Sequence, residues 1–122
     1  MAKKILIIDD EVDFAHTIRT RLDASGYDVI CAYDGRTGLE AAKKNSPDLI
    51  LLDLVMRGMN GFMVLSELKN DPYTAAIPVI ILTAKLDTEY VLDADNLGAD
   101  GYLSKPVKME ELGETLKKFF NE

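Results

Sequence analysis

Five short, unbroken apolar runs alternate along the chain with amphipathic helical patterns, and this alternation constrains the fold more than any other feature. The runs are rich in Ile, Leu and Val and lack polar alternation, which is typical of strands that are covered on both faces. They are KILIID (4–9), DVICA (28–32), LILLD (49–53), PVIILT (78–83) and GYLS (101–104).

Each run is followed by apolar residues that recur every three or four positions, the spacing of one buried helix face. These series are Phe14, Ile18 and Leu22; Leu39 and Ala42; Val64, Leu65 and Leu68; Val91, Ala94 and Leu97; and Met109, Leu112, Leu116, Phe119 and Phe120. Parallel strands joined by helices need right-handed crossovers. The pattern therefore predicts an α/β fold of the (βα)5 type, a doubly wound parallel sheet with helices on both faces.

Length and charge limit the functional classes. The 122 residues suffice for about one domain with one core, and we expect a single domain over residues 1–122. The formal charge is −7 and the basic pairs are scattered, so we expect no direct nucleic-acid and no membrane binding. No apolar stretch approaches the roughly 18 residues of a membrane span, and the expected compartment is the cytoplasm. Cys31 is single and predicted to be buried in its strand.

Charged and polar residues gather where the predicted strands end. Ligands of doubly wound sheets bind outside the carboxyl ends of the strands, so these side chains should converge on one edge. They are Asp9 and Asp10 after the first strand, Asp53 at the end of the third, Thr83 at the end of the fourth, and Lys105 with Pro106 after the fifth. Any one of them alone is weak evidence of a site, but the coincidence of all of them favours one.

The chemistry of such a cluster follows from its side chains. Oxygen-only carboxylate sites suit Mg²⁺, and the metal would balance the repulsion among Asp9, Asp10 and Asp53. A carboxylate at the end of the central strand can act as a nucleophile toward a phosphoryl group. Thr83 can donate to a phosphoryl oxygen and Lys105 can neutralise another, which is most of what phosphoryl transfer requires.

Four segments resemble the successive signatures of the response-regulator receiver domain of two-component signalling. They are ILIIDDE, PDLILLDLVMRGMNGF, IPVIILTA and GADGYLSKP, and the resemblance runs from Lys3 to about Phe119. It implies a flavodoxin-like sheet with strand order 2-1-3-4-5, as in the chemotaxis regulators of this family. It also implies a phosphoacceptor switch rather than an enzyme, with at most self-phosphorylation from small donors and self-dephosphorylation.

The resemblance assigns roles to the residues at the strand ends. Asp53 matches the phosphoacceptor, and Mg²⁺ would be bound by Asp9, Asp10, Asp53 and the carbonyl of Val55. Thr83 and Lys105 match the positions that sense the phosphoryl group.

Further roles follow from the same resemblance. Tyr102 matches the aromatic residue that changes rotamer on phosphorylation. The bond between Lys105 and Pro106 is expected to be cis. Val55 and Lys85 match positions that tune the phosphoryl lifetime.

The implied partners are a histidine kinase or a histidine phosphotransfer protein as donor. The implied output surface combines the predicted fourth helix, fifth strand and fifth helix. Its target is a protein effector or a C-terminal output domain outside this chain, so the sequence is compatible with a stand-alone regulator or with the receiver of a longer protein.

Two departures and several alternatives accompany the resemblance. Arg57 stands where the family usually has proline, which removes a backbone constraint, and Val107 stands where an aromatic residue often follows Lys-Pro. Neither changes a carboxylate, although a receiver that is not phosphorylated stays an alternative. An aspartate-based phosphatase would usually carry an acid at position 55, where this chain has Val55. A phosphotransfer role for His16 is disfavoured, because such proteins are helical bundles.

Overall fold

A computed structural model describes residues 2–84 and 88–121, and its sheet has five parallel strands in the order β2-β1-β3-β4-β5. The strands are β1 (Lys4–Ile8), β2 (Asp28–Ala32), β3 (Leu49–Asp53), β4 (Val79–Thr83) and β5 (Gly101–Ser104). The helices are α1 (Val12–Ala24), α2 (Gly35–Asn45), α3 (Gly61–Asn70), α4 (Thr88–Asn96) and α5 (Met109–Phe120). The predicted fold class and strand order are confirmed.

The strands are apolar on both faces because helices cover both. Alternate side chains point to opposite sides, so Leu6 and Ile8 pack with residues of α2, α3 and α4. Ile5 and Ile7 pack instead with residues of α1 and α5. The two cores lie on opposite faces of the sheet. All strand pairs are parallel, so the carboxyl ends of the strands form one shared edge.

Two helix starts near that edge are capped by side chains. Asp34 accepts a hydrogen bond from the Thr37 N–H at 2.8 Å at the start of α2, and Asn60 accepts one from the Met63 N–H at 3.0 Å at the start of α3. Such caps satisfy backbone donors that a helix start leaves open. The Asn60 cap also ends the 54–60 loop, which carries the chain from Asp53 into α3.

Some burial predictions differ from the structure. Cys31 is half-buried rather than fully buried, because β2 is an edge strand of the sheet. Met109, Phe119 and Phe120 are also half-buried and pack against the rim of the core formed with α1 and α5. None of the helices among the described residues has the length and apolar character that crossing a bilayer requires.

Candidate functional site

Asp53 is the last residue of β3, the central strand, and its side chain is held from two directions. The residue is 4% exposed. Its Oδ1 accepts a hydrogen bond from the Val55 N–H at 3.1 Å, and its Oδ2 accepts one from Lys105 Nζ at 3.3 Å. The backbone of the following loop and a side chain from beyond β5 therefore orient the carboxylate.

Asp9 and Asp10 follow β1, the strand beside β3. The Asp9 N–H donates to the Ala32 carbonyl at 3.0 Å, so the backbone keeps its strand-like course for one more residue. Asp9 Oδ1 accepts a hydrogen bond from the Glu11 N–H at 2.9 Å. The Asp9 side chain is fully buried, whereas 16% of the Asp10 side chain is exposed.

The three aspartates meet the requirements of a hard cation. Asp9, Asp10 and Asp53 each offer an oxygen, and these oxygens lie within 4.8 Å of one another. Asp9 Oδ2 is buried and lies 2.7 Å from Lys105 Nζ, yet it accepts no hydrogen bond of good geometry from the described residues. A buried carboxylate oxygen with unused capacity beside two other carboxylates fits Mg²⁺, which prefers oxygen ligands.

Lys105 joins the acids of the site. Its Nζ lies 2.7 Å from Asp9 Oδ2, 2.7 Å from Glu11 Oε1 and 3.3 Å from Asp53 Oδ2. It also lies 4.4 Å from the centroid of the Phe14 ring, which adds a cation–π contact. The bond from Lys105 to Pro106 is cis, and the Lys105 N–H donates to the Thr83 carbonyl at 3.0 Å.

Burial and neighbouring charges shift the pKa values of Asp53 and Lys105. Burial is the main effect that raises the pKa of Asp53 from 3.8 to about 6, and the negative charge of Asp9 raises it further. The hydrogen bond from the Val55 N–H and the positive charge of Lys105 act in the opposite direction and lower this pKa. Burial lowers the pKa of the Lys105 ammonium, but its close contacts with Asp9 and Glu11 outweigh burial and leave the pKa above its ordinary value. Lys105 therefore stays charged over the pH range in which Asp53, with its raised pKa, loses its proton.

Thr83 and Tyr102 occupy neighbouring strands on the far side of Asp53. Thr83 ends β4, is 1% exposed and pairs in register with Ser104, whereas Tyr102 pairs with Ile81. The Tyr102 hydroxyl lies 3.2 Å from Asp95 Oδ1 and 3.4 Å from the Val91 carbonyl, both on α4. Burial first and the charge of Asp95 second raise the pKa of Tyr102 to about 12. Tyr102 thus connects β5 to α4.

The structure thus brings together most residues that the sequence placed at the strand ends. Val55 directs its N–H to Asp53, and the residue is 54% exposed. Lys85 lies outside the described residues.

The sequence patterns do not predict the contacts that Glu11, Phe14 and Arg57 make with the site. Glu11 and Phe14 contact Lys105, and Arg57 contacts Asp10. The contact of Glu11 could have been predicted, because Glu11 continues the run of acidic residues after β1.

Comparison with known families identifies the chain. The family model described as the response regulator receiver domain matches residues 5–117. This chain belongs to the response regulator receiver domain family. The resemblance drawn from the four sequence segments is confirmed, and the general mechanism of this family is phosphorylation on an aspartate.

Curated relatives are named regulators. The receiver domain is 43% identical over 109 residues to the response regulator ArlR of Staphylococcus saprophyticus, a match that covers 89% of this chain and 48% of the relative. It is 35% identical over 122 residues to the transcriptional regulatory protein CrdR of Helicobacter pylori, covering 100% of this chain and 57% of the relative. The chain therefore spans about half the length of these relatives.

Solved structures of other receivers share the fold over their whole length. The chemotaxis protein CheY4 of Vibrio cholerae superimposes with a TM-score of 0.93 at 30% identity, covering 98% of this chain and 99% of that chain. The receiver domain of the sensor histidine kinase PA1611 of Pseudomonas aeruginosa has a TM-score of 0.91 at 25% identity, with both chains fully covered. That second structure has a magnesium ion coordinated in its active-site cleft.

Proposed function

We propose that Asp53 is the phosphoacceptor of this receiver domain. The observation that supports it is the position of its carboxylate, which is buried at the end of the central strand, within 4.8 Å of an Asp9 oxygen and 3.3 Å from Lys105 Nζ. An oriented carboxylate beside a fixed cation is prepared to act as a nucleophile toward phosphorus. A histidine kinase or a histidine phosphotransfer protein is the proposed donor.

The proposed cofactor is Mg²⁺, held by Asp9, Asp10, Asp53 and the carbonyl of Val55. The three carboxylates satisfy the preference of this ion for oxygen, and the unused capacity of Asp9 Oδ2 supports their assignment. When bound, the ion would neutralise negative charge on the phosphoryl oxygens and on the carboxylates.

The residues of the chain would perform the transfer by position and charge. A bond forms between an Asp53 oxygen and phosphorus as the bond from phosphorus to the donor's leaving group breaks. Lys105 supplies a permanent positive charge within 3.3 Å of the acceptor carboxylate. Thr83, at the end of the adjacent strand, would donate its hydroxyl to a phosphoryl oxygen.

The product is a switched binding surface rather than a released compound. The phosphoryl group adds negative charge beside Lys105 and Thr83, and both would reorganise around it. We propose that Tyr102 transmits this change to the surface formed by α4, β5 and α5. The target is a protein effector or an output domain outside this chain. Turnover would be limited to self-phosphorylation from small donors and self-dephosphorylation.

Phosphoryl uptake from acetyl phosphate tests this function. Intact-mass measurement should show the gain of one phosphoryl group when Mg²⁺ is present and none after chelation. Asp53→Asn should gain none. As a matched control, Asp13→Asn alters an exposed acid of α1 and should be modified like the native protein. Mg²⁺-dependent modification that persists in Asp53→Asn would reject Asp53 as the acceptor.

A further inference from the structure

Arg57 makes two contacts with one oxygen of Asp10. Its backbone N–H donates to Asp10 Oδ2 at 3.0 Å, and its side-chain Nε lies 3.5 Å from the same oxygen. The Arg57 side chain is 92% exposed, whereas that of Asp10 is 16% exposed. A guanidinium therefore reaches from solvent to one of the carboxylates of the proposed metal site.

We propose that Arg57 is a built-in competitor of Mg²⁺ for Asp10 and lowers the affinity of this receiver for the ion. The inference rests on the proposed metal site. A cation that binds Asp10 must either displace the guanidinium from Oδ2 or bind beside it and bear its repulsion. Both routes weaken binding, since like charges a few ångströms apart repel even where water screens them.

The two contacts of Arg57 have separable consequences. The backbone N–H holds the Asp10 carboxylate and is retained by every substitution except proline, which carries no donor. The guanidinium carries the charge and is removed by a neutral side chain. A change of side chain alone therefore isolates the competition while the hydrogen bond from the backbone to Asp10 is kept.

Lys105, unlike Arg57, cannot be replaced without disturbing the buried acids. The Lys105 side chain is 11% exposed and contacts three acids, so its removal would leave buried charges without a partner. Arg57 is exposed, so its substitution leaves the core intact. The charge of Arg57 can therefore be removed without exposing the buried carboxylates of the site.

Isothermal titration of the metal-free protein with MgCl₂ tests the proposal. Arg57→Gln should bind Mg²⁺ about two- to five-fold more tightly than the native protein, the range expected when one exposed ion pair is removed. Arg57→Lys retains the charge and should remain closer to the native affinity. Arg21→Gln makes the same charge change at an exposed position near the end of α1, at the opposite edge of the sheet, and should leave the affinity unchanged.

Salt provides a second readout. The difference between Arg57→Gln and the native protein should shrink toward 1 M NaCl, where screening acts over about 3 Å. Equal or weaker Mg²⁺ binding by Arg57→Gln, or an equal gain in Arg21→Gln, would overturn the competition while leaving the metal site in place. Asp10→Asn tests the metal site itself. If the native protein does not bind Mg²⁺, or if Asp10→Asn binds it equally well, the proposed metal site fails as well.

Discussion

Asp9 and Asp53, at the ends of adjacent strands, share the ammonium of Lys105 at 2.7 and 3.3 Å. Both carboxylates are buried, and Asp10 lies close enough to complete a group of three ligand oxygens. Lys105 and the exposed guanidinium of Arg57 together do not balance these three acids. The carboxylates of the site therefore repel one another. Unfolding relieves this repulsion, and a bound cation would also relieve it.

The first prediction is that Mg²⁺ stabilises the folded protein. At ten times its dissociation constant, an ion that binds the native state alone adds about 1.4 kcal/mol to the free energy of unfolding. For a domain of this size that corresponds to a rise of about 5 °C in melting temperature. Differential scanning calorimetry with millimolar Mg²⁺ measures it. Asp10→Ala should lose the response, and a native melting temperature that ignores Mg²⁺ would contradict the site.

The second prediction concerns pH. The pKa of Asp53 is raised from 3.8 to about 6, so the native state holds a proton that the unfolded state has released between these values. The contribution of Asp53 to stability is fully present below pH 3.8 and is lost as the pH rises through about 6. The loss at neutral pH is on the order of 3 kcal/mol.

Asp53→Asn tests whether ionisation of Asp53 destabilises the folded protein, because asparagine cannot ionise. Without Mg²⁺, urea unfolding should show the variant to be more stable than the native protein near pH 7.5, with the difference vanishing toward pH 4. Saturating Mg²⁺ should reduce the difference, since the ionised carboxylate then has a cation partner. A difference that is constant with pH would indicate that Asp53 titrates normally.

The sheet could be predicted almost completely from local patterns. A strand covered on both faces needs a continuous apolar run, and each run coincides with an observed strand to within one residue. The differences are Asp9 and Pro78, which lie just outside β1 and β4 while their backbone groups still bond to the sheet, at 3.0 Å to Ala32 and 2.9 Å from Ile50. The strand order came from the family resemblance, because apolar runs carry no information about neighbours.

The site was predictable only in part. Residues at strand ends are placed by the backbone, so the convergence of Asp9, Asp53 and Lys105 followed from the sheet. Contacts made by long or exposed side chains depend on loop geometry instead. The Arg57 contact with Asp10 and the Tyr102 contact with Asp95 are of this kind, and no periodicity in the sequence indicates them.

The third prediction uses the close approach of Gly61, the first residue of α3, to the end of β3. A Cβ added at Gly61 would overlap the Asp53 carbonyl oxygen and the Leu54 Cα, which are backbone atoms that cannot move aside without shifting the strand end. Gly61→Ala should therefore destabilise the protein by at least about 2 kcal/mol.

Gly113 of α5 is the matched control, because a Cβ there meets no atom within 4 Å apart from the nearby backbone of its own helix. Gly113→Ala should stabilise the protein by about 0.5–1 kcal/mol, since alanine is the better helix former. Chemical denaturation of both variants measures the contrast. A tolerated Gly61→Ala would show that the 54–60 loop accommodates a side chain next to Asp53.

The fourth prediction concerns the lifetime of the phosphorylated state. Val55 is 54% exposed, and its apolar side chain could offer no hydrogen bond to a water that attacked an acyl phosphate on Asp53. Val55→Asn can orient that water and should speed dephosphorylation roughly two- to ten-fold, the effect of about one hydrogen bond. Val55→Ala, which stays apolar, is the control for altered access. Loss of the phosphoryl mass over time gives the rates, and equal rates for the native protein and Val55→Asn would refute the idea.

The fifth prediction concerns the link from the site to the surface formed by α4, β5 and α5. The Tyr102 hydroxyl contacts Asp95 Oδ1 at 3.2 Å, which holds β5 to α4 in the unphosphorylated protein. We expect Thr83 to turn toward a phosphoryl group on Asp53, which would open space behind the end of β4 for Tyr102 on the adjacent strand. That movement breaks the contact with Asp95, at a cost of about 0.5–1.5 kcal/mol.

Beryllofluoride, a phosphoryl mimic, allows the link to be followed by NMR. In the native protein, amide shifts should spread from Asp53 into β5 and α4, whereas in Thr83→Ala they should remain near the site. Tyr102→Phe keeps the ring but removes the hydroxyl, so the α4 amides of the free variant should already move toward their beryllofluoride-bound positions. A ligand can shift such an equilibrium only through a difference in affinity for the two states. If the amide shifts spread equally far in Thr83→Ala and in the native protein, the coupling does not pass through Thr83. If the α4 amides of Tyr102→Phe do not move, the contact with Asp95 does not hold the surface formed by α4, β5 and α5 in its unphosphorylated shape.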